Sequence, residues 1–262
     1  MTRSSLMGLK MNVFNRYAEY YDALYADKNY KQECDFIEKA LRKYSKIKVK
    51  SILELGCGTG GHAIPLSLRK YEMTGIDASK VMLNAAKDKI ISSGMKLNLK
   101  RGDIRNFKFT RKFDSIICMF AVLNYVTSNN DLEKTLKNVK RHLKKGGLFI
   151  CDIWNGLAVM RILPSIRTKT VKKGMTKIIR TAEPELDAAN HLCHNHFTMV
   201  ILEKDKVVEE IKETHSVRYL FPQEITYYLE KAGFEVLEIC EFPKLGCRVD
   251  ENIWNISVIA RG

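Results

Sequence analysis

Nine residues, Ile52-Leu53-Glu54-Leu55-Gly56-Cys57-Gly58-Thr59-Gly60, constrain this chain more than any others. An apolar run carrying an acid enters a glycine-rich turn, and a helix-like pattern follows over residues 62–71. Strand, glycine turn and helix form the geometry in which backbone can touch a ligand at the end of a parallel strand. Glycines without a Cβ permit both the tight turn and the close approach. The pattern then repeats. Residues 71–77 read as a second strand ending in Asp77, 97–104 as a third running through Gly102-Asp103-Ile104, and 113–120 as a fourth. Amphipathic helices alternate with these strands, so a parallel sheet is expected.

Residues 12–48 read as helices leading into the first strand and carry Tyr17, Tyr20, Tyr21, Tyr25 and Tyr30. Ser79 is suited to cap the helix holding Val81, Met82, Ala85 and Ala86. In residues 131–145, Leu132, Leu136, Val139 and Leu143 form one apolar stripe, with lysines on the remaining faces. Gly146-Gly147 ends that helix before a fifth strand, 148–154. Alternation then breaks. Residues 176–182, 191–203 and 206–219 read as three antiparallel strands separated by turn-like segments. Pro222 and Gly233 bracket a last helix, and 234–242 with 252–260 would close as a hairpin. The expected fold class is therefore α/β: a Rossmann-like, doubly wound, seven-stranded sheet with an antiparallel β insert after the fifth strand. The division expected is an N-terminal helical cap over 1–50, a core over 51–165, the insert over 166–220, and a C-terminal part of the core over 221–262.

A chain of 262 residues can bury a good core. No apolar run reaches the eighteen or so residues of a membrane span, and residues 1–10 lack an apolar signal region, with Met11 a plausible alternative start. Seven scattered cysteines without a C-x-x-C pair read as reduced, packed thiols, which points to the cytoplasm. The formal charge of +14 arises from 44 basic and 30 acidic residues spread over many polar faces. A solvated surface explains most of it. A phosphate-bearing small substrate is the second reading, and RNA a weaker third, because no basic-aromatic RNA motif occurs.

The strand-end acids at these spacings resemble the class I S-adenosylmethionine (SAM) dependent methyltransferases. That resemblance implies SAM as cofactor. Asp77, seventeen residues past Gly60, would accept hydrogen bonds from the ribose diol, each contributing roughly 1.5–3 kcal/mol. Glu54 would lie near the amino-acid end, and Gly56, Cys57, Gly58, Ala78, Met82 and Met119 would also bind the cofactor. Gly102, Asp103 and Ile104 would form the adenine site. An NAD-binding Rossmann unit or an inert α/β core are the competing readings.

From about Tyr17 to Trp154, Tyr21-Asp22-Ala23-Leu24-Tyr25 with Tyr30, the glycine loop, Asp77-Ala78-Ser79, Gly102-Asp103-Ile104 and Cys118-Met119-Phe120 resemble small-molecule methyltransferases. The pattern is closest to deoxyamino-sugar N,N-dimethyltransferases. The likeness puts Tyr25 beside the reacting amine, Tyr17 and Tyr30 at the SAM site, and Tyr125 where those enzymes carry a histidine near the methyl group. Tyr25 and Tyr125 are thus the candidate catalytic residues. A small-molecule acceptor, an amine or sugar type, is expected as partner. Nucleic acid and membrane are not, and exposed strand edges offer a route to a homodimer. The alternatives are an RNA or protein methyltransferase, against which Met119-Phe120-Ala121-Val122 replaces the Asn/Asp-Pro-Pro-Tyr/Phe signature of base-amine methylases, and a nonenzymatic SAM-binding subunit.

Asp152 and His196 are further candidates for a base. His191, Cys193, His194, His196 and His215 are metal-ligand types, but strand alternation splits them between faces, so no metal site is expected. The insert is expected to have both faces covered and to place His196 against the acceptor.

Overall fold

The computed structural model describes residues 17–94 and 97–262. The start at Met1 or Met11, residues 12–16 of the leading helical region, and the lysine at 96 lie outside the described residues. Helix α1 (Tyr17–Leu24) precedes α2 (Tyr30–Tyr44). Asn29 caps α2 by accepting from the amide of Gln32, and Cys34, Phe36, Ile37, Ala40 and Leu41 form its buried stripe. There follow β1 (Ser51–Leu55), α3 (Ala63–Leu68), β2 (Glu72–Asp77), α4 (Lys80–Ser93), β3 (Asn98–Arg101) and β4 (Phe113–Cys118). A 3-10 turn (Val122–Tyr125) leads to α5 (Asn129–His142), β5 (Leu143–Trp154) and α6 (Gly156–Ile162). The last part holds β6 (Arg167–Lys173), β7 (Thr176–Asp187), β8 (Leu192–Glu203), β9 (Lys206–Arg218), α7 (Pro222–Lys231), β10 (Glu235–Glu241) and β11 (Asn255–Arg261).

The main sheet has seven strands in the order β10-β11-β5-β4-β1-β2-β3. Strands β3, β2, β1, β4 and β5 are parallel, and β11 joins β5 antiparallel before pairing with β10. Alternation sends successive side chains to opposite faces. Leu53, Leu55, Ile116, Cys118, Phe149 and Cys151 face a core closed by α5 and α7. Ile52, Ile117, Leu148 and Ile150 face a second core closed by α2 and α3. Truncating any of these fully buried aliphatic side chains to Ala should cost about 2–5 kcal/mol.

The insert is a second sheet of four strands, β6-β7-β8-β9, all antiparallel. The sequence indicated three. The extra strand, β6, alternates Arg, Thr and Lys and lacks the apolar signal of a strand; its charges suit a sheet edge. The insert leaves and re-enters the core at one point, where Leu220 exchanges backbone hydrogen bonds with Trp154 and Gly156. Its apolar face, Ile178, Met199, Ile201 and Ile211, packs on Tyr17 and Leu24 of α1. The opposite face of β8 is only partly covered, contrary to the expectation that both would be. Among the described residues no helix is long and apolar enough to cross a membrane.

Candidate active site

A cleft of about 480 Å³ opens at the carboxyl ends of β1, β2, β4 and β5, the place where open α/β sheets bind ligands. Its walls include Glu54, Gly56, Cys57, Gly58, Asp77, Ala78, Met82, Gly102, Asp103, Ile104 and Met119 from the core. Tyr17, Tyr25 and Tyr30 enter it from the leading helices, and Tyr125 from the 3-10 turn. The thirteen cofactor-site candidates and the two candidate catalytic tyrosines thus meet in one cavity.

The glycine loop is shaped by what surrounds it. Gly56 has φ +68°, and a Cβ there would fall 2.4 Å from Cγ1 of Val122. Asp77 fastens the loop to α4: Oδ2 accepts from the amide of Gly58 and Oδ1 from that of Ser79, each at 2.8 Å. Burial raises its pKa, and these backbone bonds oppose the shift. The carboxylate lines the cleft, where it can accept from a ligand diol. Asp103 also lines the cleft, but both its oxygens are engaged by the Arg105 guanidinium. Although burial opposes it, Arg105 holds the Asp103 carboxyl below its ordinary range. A ligand amine at Asp103 would have to share those oxygens with Arg105.

A buried chain of charge runs behind the loop. His62 Nδ1 lies 3.2 Å from Glu54 Oε1, and its Nε2 lies 2.6 Å from Glu33 Oε2. Burial disfavours the imidazolium, but the hydrogen bonds and charges of Glu33 and Glu54 outweigh it and push the pKa up to about 9. His62 is therefore a cation at neutral pH. Glu33 also pairs with Lys28. Burial raises Glu54, with His62 opposing. Glu54 Oε2 is buried at the cleft and has no hydrogen-bond partner among the described residues. A buried acceptor of this kind needs a donor, and the ammonium of an amino-acid tail is one. The edge of Tyr30 meets His62, and Gly61 leaves room for the Tyr30 ring.

Asp152 shapes the other wall. Its carboxylate accepts from the amides of both Phe120 and Ala121. These residues have φ of +66° and +54°, a left-handed conformation that non-glycine residues adopt only when held. Phe120 in turn meets Tyr25 edge-on, with ring centres 5.1 Å apart. Burial and then the charge of Glu33 raise the Asp152 pKa to about 6. Both its oxygens are bound to backbone, which makes it a brace for the loop.

The insert reaches the cleft with Asn195 and Phe197 of β8 and His215 and Val217 of β9. His196 does not. It sits on the outer face, side chain 48% exposed, next to Thr214 and Glu185. The inward phase of β8 is the odd-numbered one, so the expectation for His196 is corrected. His194 meets Ser216, and His191 stacks on Tyr219. Arg180 of β7 donates to the hydroxyls of Tyr17 and Tyr25 at 3.0 and 3.1 Å, tying the insert to α1. Glu33, His62, His215 and Arg180 had no assigned role in the sequence reading. Only His62, placed directly after Gly60-Gly61, carried a positional signal.

A twisted sheet in this order, with acids closing β1 and β2 above a glycine loop, defines a nucleoside-binding α/β fold. Residues 52–147 match the family model described as "Methyltransferase domain". A protein of Bacillus subtilis (strain 168), provisionally named methyltransferase YqeM, is 28% identical over 225 residues, covering 86% of this chain and 87% of its own. A dTDP-3-amino-3,6-dideoxy-α-D-glucopyranose N,N-dimethyltransferase of Streptomyces fradiae is 22% identical over 236 residues, covering 89% of each. Among solved structures, an S-adenosylmethionine-dependent methyltransferase from Clostridium acetobutylicum superposes with a TM-score of 0.81 at 26% identity, covering 95% of this chain and 99% of that one. Over residues 52–147 the chain carries a methyltransferase domain, and its fold is that of the class I SAM-dependent methyltransferases.

Proposed function

We propose that this protein methylates an amine on a small, sugar-type acceptor, with SAM as donor. The observation that carries the reading is the roof: α1 and the insert close over the strand ends, leaving a confined cavity suited to a small molecule. Trp154, Trp254, Phe197, Asn195 and Arg167 are among the residues that line it. Aromatic faces with a few polar groups suit a sugar ring, and Arg167 suits an anionic substituent. Several relatives are named N,N-dimethyltransferases of dTDP-linked amino sugars, which points the same way.

When bound, SAM supplies a methyl group already activated on a sulfonium. Asp77 would hold the ribose hydroxyls, and Glu54 and Tyr30 the amino-acid tail. Gly102 and Ile104 would border the adenine. Tyr25, braced by Phe120 and Arg180, and Tyr125 would orient the acceptor nitrogen. Closing the cleft excludes water from the reacting centre. The test is transfer of a labelled methyl group from SAM to a panel of dTDP-amino sugars, simple amines and RNA. Label on an amino sugar or simple amine supports the reading, and label on RNA alone overturns it.

A further inference from the structure

Tyr125 does not stand alone in the cleft. Its hydroxyl lies 3.0 Å from Nδ1 of His215, and Nε2 of His215 lies 3.0 Å from Oε2 of Glu213. Tyr125 belongs to the 3-10 turn after β4, and the other two side chains to β9 of the insert. The turn is fixed on β9 a second time, because the side-chain Nδ2 of Asn124 donates to the carbonyl of Arg218. His215 is 2% exposed. Its ring is packed by Tyr17 at 5.6 Å and by the edge of Phe197 at 4.9 Å. A carboxylate at Nε2 fixes that nitrogen as the protonated one, so Nδ1 is left to accept from the tyrosine hydroxyl. Tyr125 and His215 both line the cleft.

We propose that Tyr125, His215 and Glu213 form a proton relay that takes the proton of the incoming ammonium group. The inference rests on the reading of the acceptor as an amine. An amine near neutral pH arrives protonated and has no lone pair to attack with. In the relay, its proton passes to the oxygen of Tyr125 while the tyrosine proton passes to Nδ1 of His215. Glu213 stabilises the imidazolium. The freed nitrogen lone pair then forms the N–C bond, the S–C bond breaks with its electrons remaining on sulfur, and the methylated product is again an ammonium. The imidazolium returns its proton through Tyr125 to water after product release. Tyrosine serves here as a conduit rather than a base. Burial, and the nearby Tyr25, Tyr17, Glu213 and Asp77, all disfavour its anion. The charged group on the other side of that cluster, Arg180, is engaged by Tyr17 and Tyr25. Tyr125 touches the acceptor. His215 and Glu213 act through it.

The acceptor probe is dTDP-3-amino-3,4,6-trideoxy-α-D-glucopyranose, with the wild type compared with His215→Gln and Glu213→Gln. The glutamine at 215 fills similar space but cannot take up a proton. For an amine titrating near 8, only about 3% is neutral at pH 6.5. The kcat/KM of His215→Gln should therefore be about 30-fold below wild type at pH 6.5 and within about threefold at pH 9. His62 is present in both proteins, so its titration cancels in the ratio. SAM affinity by calorimetry should be unchanged. A pH-independent ratio, or a variant as active as wild type at pH 6.5, overturns the relay. A wild type inactive on this amine while methylating another substrate class overturns the reading of the acceptor, and the relay is then decided without turnover. Nitrogen-15 spectra of labelled imidazole, assigned by the resonances lost in His215→Gln, should show the neutral ring of His215 as the tautomer protonated at Nε2 and bare at Nδ1. A neutral ring that carries its proton on Nδ1 overturns the relay whatever the substrate.

Discussion

His62 gives the sharpest test of how this site is held. Its imidazolium lies between Glu33 and Glu54, almost fully buried. Its folded pKa, about 9, is raised above the ordinary 6.5. A raised pKa on a base means the folded state binds the proton more tightly. The stability it contributes is complete below pH 6.5 and is lost as pH rises through about 9. The full span of 2.5 units is worth about 3 kcal/mol, of which about 2 kcal/mol should disappear between pH 6 and pH 8. The assay is urea unfolding of the wild type and His62→Gln at half-unit steps over that interval. Staying below pH 8 limits the contribution of buried thiols, whose raised pKa values lower stability from about pH 9 upward. The variant should lose about 2–4 kcal/mol at pH 6, because the buried Glu54 is left without its cation and Glu33 keeps only Lys28. Its stability should also vary less with pH over this range. A wild type whose stability does not fall between pH 6 and 8, or a variant that falls as steeply, would refute the buried imidazolium.

Asp77→Ala should weaken SAM binding about 30- to 1000-fold in a folded protein, read by calorimetry; near-wild-type affinity would remove the ribose-diol role. Asp152→Asn can accept from only one of the two amides at Phe120 and Ala121, so it should cost about 1–3 kcal/mol in unfolding experiments. It should also lower turnover through displacement of Phe120 from Tyr25; full activity would show that the brace is dispensable. In Gly61→Ala the new Cβ would come within 2.4 Å of the Tyr30 ring, and SAM affinity should fall at least tenfold if Tyr30 lies at the tail. His196→Ala should leave both SAM affinity and acceptor KM unchanged, since that side chain is on the outer face; a raised KM would restore it to the site.

The sequence by itself determined the parts of this protein whose signals are local. A glycine turn, an acid at a strand end, a serine cap before α4 and a proline opening α7 each act within a few residues. Their spacing sufficed to bring Glu54, Gly58, Asp77 and Ile104 into one cleft. Tertiary structure decided what depends on pairing between distant segments. Strand β6 carries no apolar period and becomes a strand only because β7 supplies its hydrogen bonds. The inward face of β8 depends on its placement over α1, and a shift of one residue exchanges every side chain between faces; that shift separates Phe197 in the cleft from His196 in solvent. The same holds for the polar groups behind the site. Glu33 meets His62 across 29 residues, Asp152 meets Phe120 across 32, and Tyr125 meets His215 across 90. No period or motif encodes such a contact. It exists because the sheet order and the returning insert bring those side chains into one low-dielectric interior, where each polar group must find a partner.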